Sequence, residues 1–70
     1  MNKELLIKRI KESGMTRKYI AWKMEITPNS LQNKVSGRTP FTVSEVKNLA
    51  IILKLSKEDT FDIFLPNVFA

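Results

Sequence analysis

Apolar residues recur about four positions apart in several short stretches of the chain, which is the period of an α-helix. Leu6 and Ile10 form such a pair in the first stretch, and Ile20 and Met24 form another in the second. Sustained alternation of apolar and polar residues is lacking, and so are the Asn-Gly and Asp-Gly dipeptides of tight β-hairpins. The pattern therefore predicts an all-α fold.

Residues that favour helix ends divide the chain into five predicted helices. Ser, Thr and Asn side chains cap helix N-termini, proline fits the first helical position, and glycine fits the position just past a helix end. A Thr-x-x-Glu pattern is a capping box. In chain order these residues are Asn2 and Gly14, Thr16, Thr27-Pro28 and Gly37, Thr42 with Glu45, and Ser56 with Asp59.

The third predicted helix is apolar on one side and uncharged-polar on the other. Leu31 and Val35 form its apolar side. The opposite side holds amides and hydroxyls, namely Asn29, Asn33 and Ser36, with Gln32 on its flank. Such groups read base edges in the DNA major groove. The alternative is a solvated helix face without a partner.

Only Met24, Glu25 and Ile26 separate the second and third predicted helices. So short a connection predicts a sharp angle between the helices, as in a helix-turn-helix. The small side chain of Ala21 would permit close approach of the two helices, and Ile26 would fill the corner. Trp22 falls to one side of the apolar stripe, and we expect it to be a partly buried wall residue rather than a platform for stacking a base.

The composition narrows the possible functions. The 70 residues are 43% hydrophobic and 27% charged, which is typical of one globular domain, residues 1–70, that ends in a short apolar tail, residues 65–70. Cysteine and histidine are absent, which argues against disulfide scaffolds, zinc fingers and histidine bases. The longest apolar run is Leu49 to Leu53, and no secretory leader opens the chain. We therefore expect a cytoplasmic protein without a membrane span, metal or cofactor.

Positive charge is concentrated in the first part of the chain. The net charge is +5, and residues 1–40 carry nine basic and three acidic side chains. Residues 41–70 carry three basic and four acidic ones. Such a distribution attracts a polyanion such as nucleic acid. The alternative is a basic surface that only keeps the protein soluble.

The segment TRKYIAWKMEITPNSLQNKVSGRTP, residues 16–40, resembles the helix-turn-helix of the lambda-repressor-like group, which includes the Cro and repressor proteins of bacteriophages. The matching positions are Thr16, Ile20-Ala21, Ile26-Thr27 and Gly37. The resemblance covers nearly the whole chain and is strongest to the short phage regulators. It implies a five-helix domain in which helices 2 and 3 form the helix-turn-helix.

Two positions depart from the pattern of that group. Arg17 stands where the group usually has a glutamine that contacts a phosphate and braces the third helix. Arg17 would keep the phosphate contact. Glu25 stands at the glycine of the turn, and a left-handed backbone there costs a non-glycine residue about 1–2 kcal/mol. Either the turn is strained or its backbone differs.

The resemblance implies a sequence-specific regulator of transcription, which binds a palindromic double-stranded DNA operator as a dimer with helix 3 in the major groove. The base-reading positions that it implies are Pro28, Asn29, Gln32 and Asn33. The implied DNA-backbone positions are Arg17, Thr27, Ser30, Lys34, Arg38 and Thr39, with Lys18 and Lys23 as further positive charge.

The apolar tail has two interpretations. One is a dimer contact made by Phe64, Leu65, Val68 and Phe69, and the other is that these residues fold back and close the core of the monomer. A protein-interaction module, such as an antitoxin or antirepressor-like adaptor, is the alternative function. We do not expect an enzyme, because the carboxylates of Glu58, Asp59 and Asp62 have no base, metal ligand or phosphate loop near them in sequence.

Overall fold

Five α-helices make up the part of the protein that the computed structural model describes, residues 1–64. Their bounds are α1 Lys3–Ser13, α2 Arg17–Lys23, α3 Pro28–Val35, α4 Val43–Leu53 and α5 Lys57–Phe64. Residues 1–64 contain no β-strand, so the all-α prediction is confirmed for them. None of these helices is long and apolar enough to cross a membrane.

Side-chain caps begin the helices where the sequence predicts them. Each capping oxygen accepts a backbone N–H three residues further on, which satisfies a group that the helix itself leaves unpaired. These bonds, 3.0–3.1 Å long, join Asn2 to Leu5, Thr16 to Tyr19, Thr27 to Ser30, Thr42 to Glu45 and Ser56 to Asp59. Glu45 returns a bond to the Thr42 N–H at 2.9 Å, which completes the predicted capping box.

The hydrophobic core draws side chains from all five helices. Its buried members are Leu6, Ile10, Ile20, Ala21, Met24, Leu31, Val35, Phe41, Val46, Leu49, Ile63 and Phe64. Phe41 precedes α4 and meets Phe64 edge to face, with ring centroids 5.4 Å apart. Phe64 is fully buried. Of the two interpretations of the apolar tail, Phe64 therefore fits closure of the monomer core, because its buried ring is not available as a dimer contact.

The two ends of the described chain are joined to each other. The Asn2 N–H donates to the Ile63 carbonyl at 2.6 Å. Arg9 on α1 pairs with Glu12 at 2.7 Å and with Asp59 on α5 at 3.3 Å. The Asn2–Ile63 bond and the Arg9–Asp59 pair hold α5 against α1. Asp59 thus has a structural partner.

Within residues 1–64, four residues near helix C-termini have left-handed backbones. Gly14 and Gly37 do so with φ of 73° and 88°, as the sequence predicts. Glu25 and Lys54 do so with φ of 59° and 55°, although both carry a Cβ. A left-handed backbone is uncommon for residues other than glycine, asparagine and aspartate, because the Cβ approaches the backbone. Glu25 and Lys54 are therefore the strained positions among residues 1–64.

Replacing Glu25 by glycine is expected to stabilise the protein. Glycine adopts φ near 59° without the Cβ strain, and part of that gain is lost to the greater freedom of glycine in the unfolded chain. We expect Glu25→Gly to raise the free energy of unfolding in urea by about 0.5–1 kcal/mol. Glu25→Ala is the control, because it removes the carboxylate and keeps the Cβ. A gain as large for alanine as for glycine would locate the strain elsewhere.

Candidate nucleic-acid interface

A tight turn joins α2 to α3. The Glu25 N–H donates to the Trp22 carbonyl at 3.1 Å, and the Ile26 N–H donates to the Ala21 carbonyl at 3.0 Å. These two bonds and the left-handed Glu25 are the features of a Schellman motif. The turn therefore keeps the backbone that glycine favours, at the cost of strain. Ala21 is fully buried, and Ile26 packs against the core, as the sequence predicts.

One face of α3 presents side-chain amides. Asn29 and Gln32 are exposed and Asn33 is half-buried, while Leu31 and Val35 are buried on the opposite side. Positions three and four residues apart in a helix are neighbours, so the three amides form one surface. The Asn29 and Asn33 side chains make no hydrogen bond within residues 1–64. Their donors and acceptors are therefore available to an external partner.

Arg17 connects the start of α2 to this face. Its Nη1 donates a hydrogen bond to Oε1 of Gln32. Arg17 is the first residue of α2, and Gln32 lies in the middle of α3, so the bond links the two helices on their outer side. The position that the resemblance assigns to a bracing glutamine thus carries a brace in this chain also, made by a charged donor.

Lys34 is tied down at the far end of α3. Its Nζ lies 3.0 Å from Oε1 of Glu45 and 3.4 Å from the Pro40 carbonyl. The side chains of Lys34 and Glu45 are only 14% and 20% exposed. This pairing joins α3 to the capping box of α4, and it neutralises the charge of Lys34. The geometry therefore disfavours the predicted DNA-backbone contact of Lys34, and the sequence gives no sign of the pairing because eleven residues separate the partners.

The Glu45 carboxylate is held in its charged form. Burial opposes ionisation, but hydrogen bonds from the Thr42 N–H and the Lys34 ammonium outweigh burial and lower the pKa of Glu45 below its ordinary value. The same carboxylate oxygen of Glu45 accepts both contacts, so that it caps α4 and also pairs with Lys34 on α3. Stability gained in this way depends on pH.

Acidification is expected to remove the contribution of Glu45 to stability. Above the ordinary pKa of 4.5 the carboxylate is charged in the folded and unfolded states, and the contribution is complete. As the pH falls below 4.5 and through the lowered pKa, the unfolded chain takes up the proton first and the contribution is lost. Urea titrations across this range should show a steeper loss of unfolding free energy for the wild type than for Glu45→Gln. Equal slopes would contradict this account.

The other predicted DNA-backbone residues lie on α2, on α3 or beside the ends of α3. Lys18 and Thr27 are exposed, the former in the first turn of α2 and the latter as the N-cap of α3, and Ser30 is half-buried. Arg38 and Thr39, in the segment after α3, are also exposed. Their N–H groups both donate to the Asn33 carbonyl, at 2.9 and 3.3 Å, which ties this segment to the end of α3. The remaining exposed positions are Pro28, the first residue of α3, and Lys23, the last residue of α2.

Trp22 lies on the surface, so the expectation of a partly buried wall residue is wrong. Its side chain is 71% exposed, and Tyr19 beside it is 44% exposed. The two rings are 6.0 Å apart between centroids and tilted by 39°. Lys18 and Lys23 are exposed on the same short helix. Trp22 lies at the edge of the apolar stripe of α2, and at such a position a small rotation of the helix decides whether the side chain is buried.

Two further expectations concern metals and the apolar tail. Residues 1–64 contain no group of three or more His, Cys, Asp or Glu side chains that could hold a metal ion. Leu65, Val68 and Phe69, the other residues of the predicted dimer contact, lie outside the described residues.

Comparison with known proteins gives no match. No protein-family model, no curated protein and no solved structure is similar enough to this chain to count as a relative.

Proposed function

We propose that the protein binds double-stranded DNA sequence-specifically and regulates transcription. The observation that carries this proposal is the face of α3, where the amides of Asn29 and Asn33 make no hydrogen bond within residues 1–64 and Gln32 is exposed. On the opposite side of α3, the buried side chains of Leu31 and Val35 pack in the hydrophobic core and hold the helix in place. Asparagine and glutamine form paired hydrogen bonds with adenine in the major groove.

In this proposal α2, the turn and α3 act as a helix-turn-helix. The buried Ala21 lets the two helices approach, the Schellman turn sets their connection, and α3 projects its amides into the groove. Pro28 and Asn29 lie at the end of α3 that enters the groove, and Gln32 and Asn33 follow one turn later. These are the proposed base readers.

Phosphate contacts would fix the position of the domain on the duplex. The exposed cations Lys18 and Arg38, in the first turn of α2 and in the segment after α3, are two of the proposed phosphate contacts. The remaining proposed backbone residues are Arg17, Thr27, Ser30, Thr39 and Lys23. Lys34 contributes mainly by fixing the end of α3, since Glu45 neutralises its charge.

A single domain of this size offers few phosphate contacts, so we propose that a dimer binds a palindromic operator. The two copies of α3 would then lie about 34–36 Å apart, one helical turn of DNA. Under this proposal the protein acts in the cytoplasm of a bacterial host, on the nucleoid. It needs no cofactor and catalyses no reaction.

Binding to DNA is expected to weaken steeply with salt. Each phosphate that the protein neutralises releases counterions, and the logarithm of the affinity then falls with the logarithm of the salt concentration, with a slope near −0.9 per phosphate. We expect a slope of about −4 or steeper from fluorescence anisotropy with a labelled random-sequence duplex, because several cations lie on α2 and in the segment after α3. A flat response to salt would contradict a DNA-binding function.

A second candidate function is a protein-interaction module, such as an antitoxin or antirepressor-like adaptor. The exposed pair Trp22 and Tyr19 supports it, because both residue types are enriched at protein interfaces. Purification with and without nuclease separates the candidates. A partner protein that co-purifies with the chain after nuclease treatment, and no longer does so with Trp22→Ala, would favour the adaptor. A partner protein that nuclease releases is held through DNA.

A further inference from the structure

α3 carries a single charged side chain, and the fold pairs that side chain with α4. The helix, PNSLQNKV, contains only Lys34 as a cation. Its Nζ lies 3.0 Å from Oε1 of Glu45 and 3.4 Å from the Pro40 carbonyl, and its side chain is only 14% exposed. Arginine and lysine are the side chains that most often read guanine, because they donate to O6 and N7. The base readers that α3 itself supplies are therefore neutral.

Asn29 and Asn33 each keep a complete amide for an external partner. An amide has a carbonyl acceptor and an NH2 donor, and neither side chain makes a hydrogen bond within residues 1–64. Their backbones are fixed, since Asn29 lies in the first turn of α3, which Thr27 caps, and the Asn33 carbonyl accepts bonds from groups that follow it. Gln32, in contrast, shares its Oε1 with Arg17. The two asparagines are therefore the amides of α3 with donor and acceptor both unused.

We propose that Asn29 and Asn33 each read an adenine, so that the base pairs facing these two residues in each half-site are A·T pairs. This inference rests on the DNA-binding function proposed above, which leaves the operator sequence open. In the major groove adenine presents the N7 acceptor beside the N6 amino donor, and one amide bonds to both. Guanine presents two acceptors, O6 and N7, so the amide NH2 forms one bond while the amide carbonyl faces a second acceptor. Adenine is therefore the base that uses both groups of the amide.

The spacing of the two asparagines sets the spacing of the two adenines. Asn29 and Asn33 are four residues apart, which is about 6 Å along the helix axis at about 1.5 Å per residue. Successive base pairs of DNA are about 3.4 Å apart. With α3 lying along the major groove, the two A·T pairs are therefore about one or two base-pair steps apart.

Selection from random duplex DNA, followed by single changes in the selected sequence, tests this inference. The pair that each asparagine reads is the one at which Asn29→Ala or Asn33→Ala abolishes the effect of a base change. There we expect exchange of A·T for G·C to weaken wild-type binding about fivefold or more. 7-Deazaadenine, which lacks the N7 acceptor and still pairs with thymine, should weaken it about threefold. For the alanine variant at the same pair, both changes should leave the affinity nearly unchanged.

Asn48→Ala is the matched control, because it removes an exposed amide from α4 and leaves the face of α3 unchanged. It should keep the wild-type response at every base pair. If the wild type selects G·C at these positions, or binds 7-deazaadenine as well as adenine because it recognises DNA shape, the inference is overturned while the proposed function stands. If the wild type selects no sequence at all, both fail. Circular dichroism checks that each variant is folded, which we expect because alanine forms helices more readily than asparagine.

Discussion

Ala21→Leu is expected to destabilise the protein by about 3 kcal/mol or more. Ala21 is fully buried in the core, on the short helix that packs against α3. Three additional carbon atoms at such a site force the surrounding backbone or side chains to move. A chain of this length has a total stability of about 4–10 kcal/mol, so the loss is a large part of it. Urea titrations followed by circular dichroism measure the change.

Lys23→Leu is the control for this substitution. It places the same leucine on the same helix, two residues further along and exposed to solvent, where surface changes are usually within about 0.5 kcal/mol. A loss for Ala21→Leu no larger than that of Lys23→Leu would show that α2 and α3 are not closely packed at Ala21. The argument for a rigid α2–α3 unit would then fail.

Asn33→Ala is expected to lower the preference for the selected operator far more than the affinity for bulk DNA. A good pair of amide–base hydrogen bonds is worth about 1–3 kcal/mol of discrimination, which corresponds to roughly 5- to 150-fold. The substitution leaves the helix intact, because the Asn33 contacts within residues 1–64 are made by its backbone carbonyl. Competition binding with the operator and an unrelated duplex measures the preference.

Arg38→Ala is the matched comparison for Asn33→Ala. Arg38 lies after α3 and is exposed, and its one backbone N–H bond to the Asn33 carbonyl is kept in the variant. As a phosphate contact it should weaken binding to both duplexes about equally and reduce the steepness of the salt dependence by about one unit. If Asn33→Ala also weakens both equally, Asn33 positions the protein and does not read a base.

The helix boundaries could be predicted because the chemistry that sets them is local. Thr16, Thr27 and Thr42 each satisfy an N–H only three residues away, so the sequence contains both partners of the bond. Gly14 and Gly37 have the left-handed backbones expected of glycine at helix ends. Lys54 has the same backbone and gave no such signal, because lysine, unlike glycine, does not favour a left-handed conformation.

The connections between helices could not be predicted in the same way. The pairs Lys34–Glu45 and Arg9–Asp59 join residues far apart in sequence, and only the fold brings their charges together. The exposure of Trp22 could not be predicted either, because the burial of a side chain at the edge of an apolar stripe depends on the neighbouring helices. For the candidate site, the sequence predicted which amides share a face of α3 but not that Arg17 bonds to one of them.

Selection of sequences from a pool of random duplex DNA tests the central claim most directly. It is carried out with the wild type and with the double variant Asn29→Ala/Asn33→Ala, which lacks the two α3 amides that make no hydrogen bond in the described part of the chain. We expect the wild type to enrich a two-fold symmetric sequence with half-sites about 10 base pairs apart. The double variant should retain binding to bulk DNA and enrich no such sequence. Enrichment of the same sequence by both proteins, or by neither, would contradict the claim that α3 reads DNA.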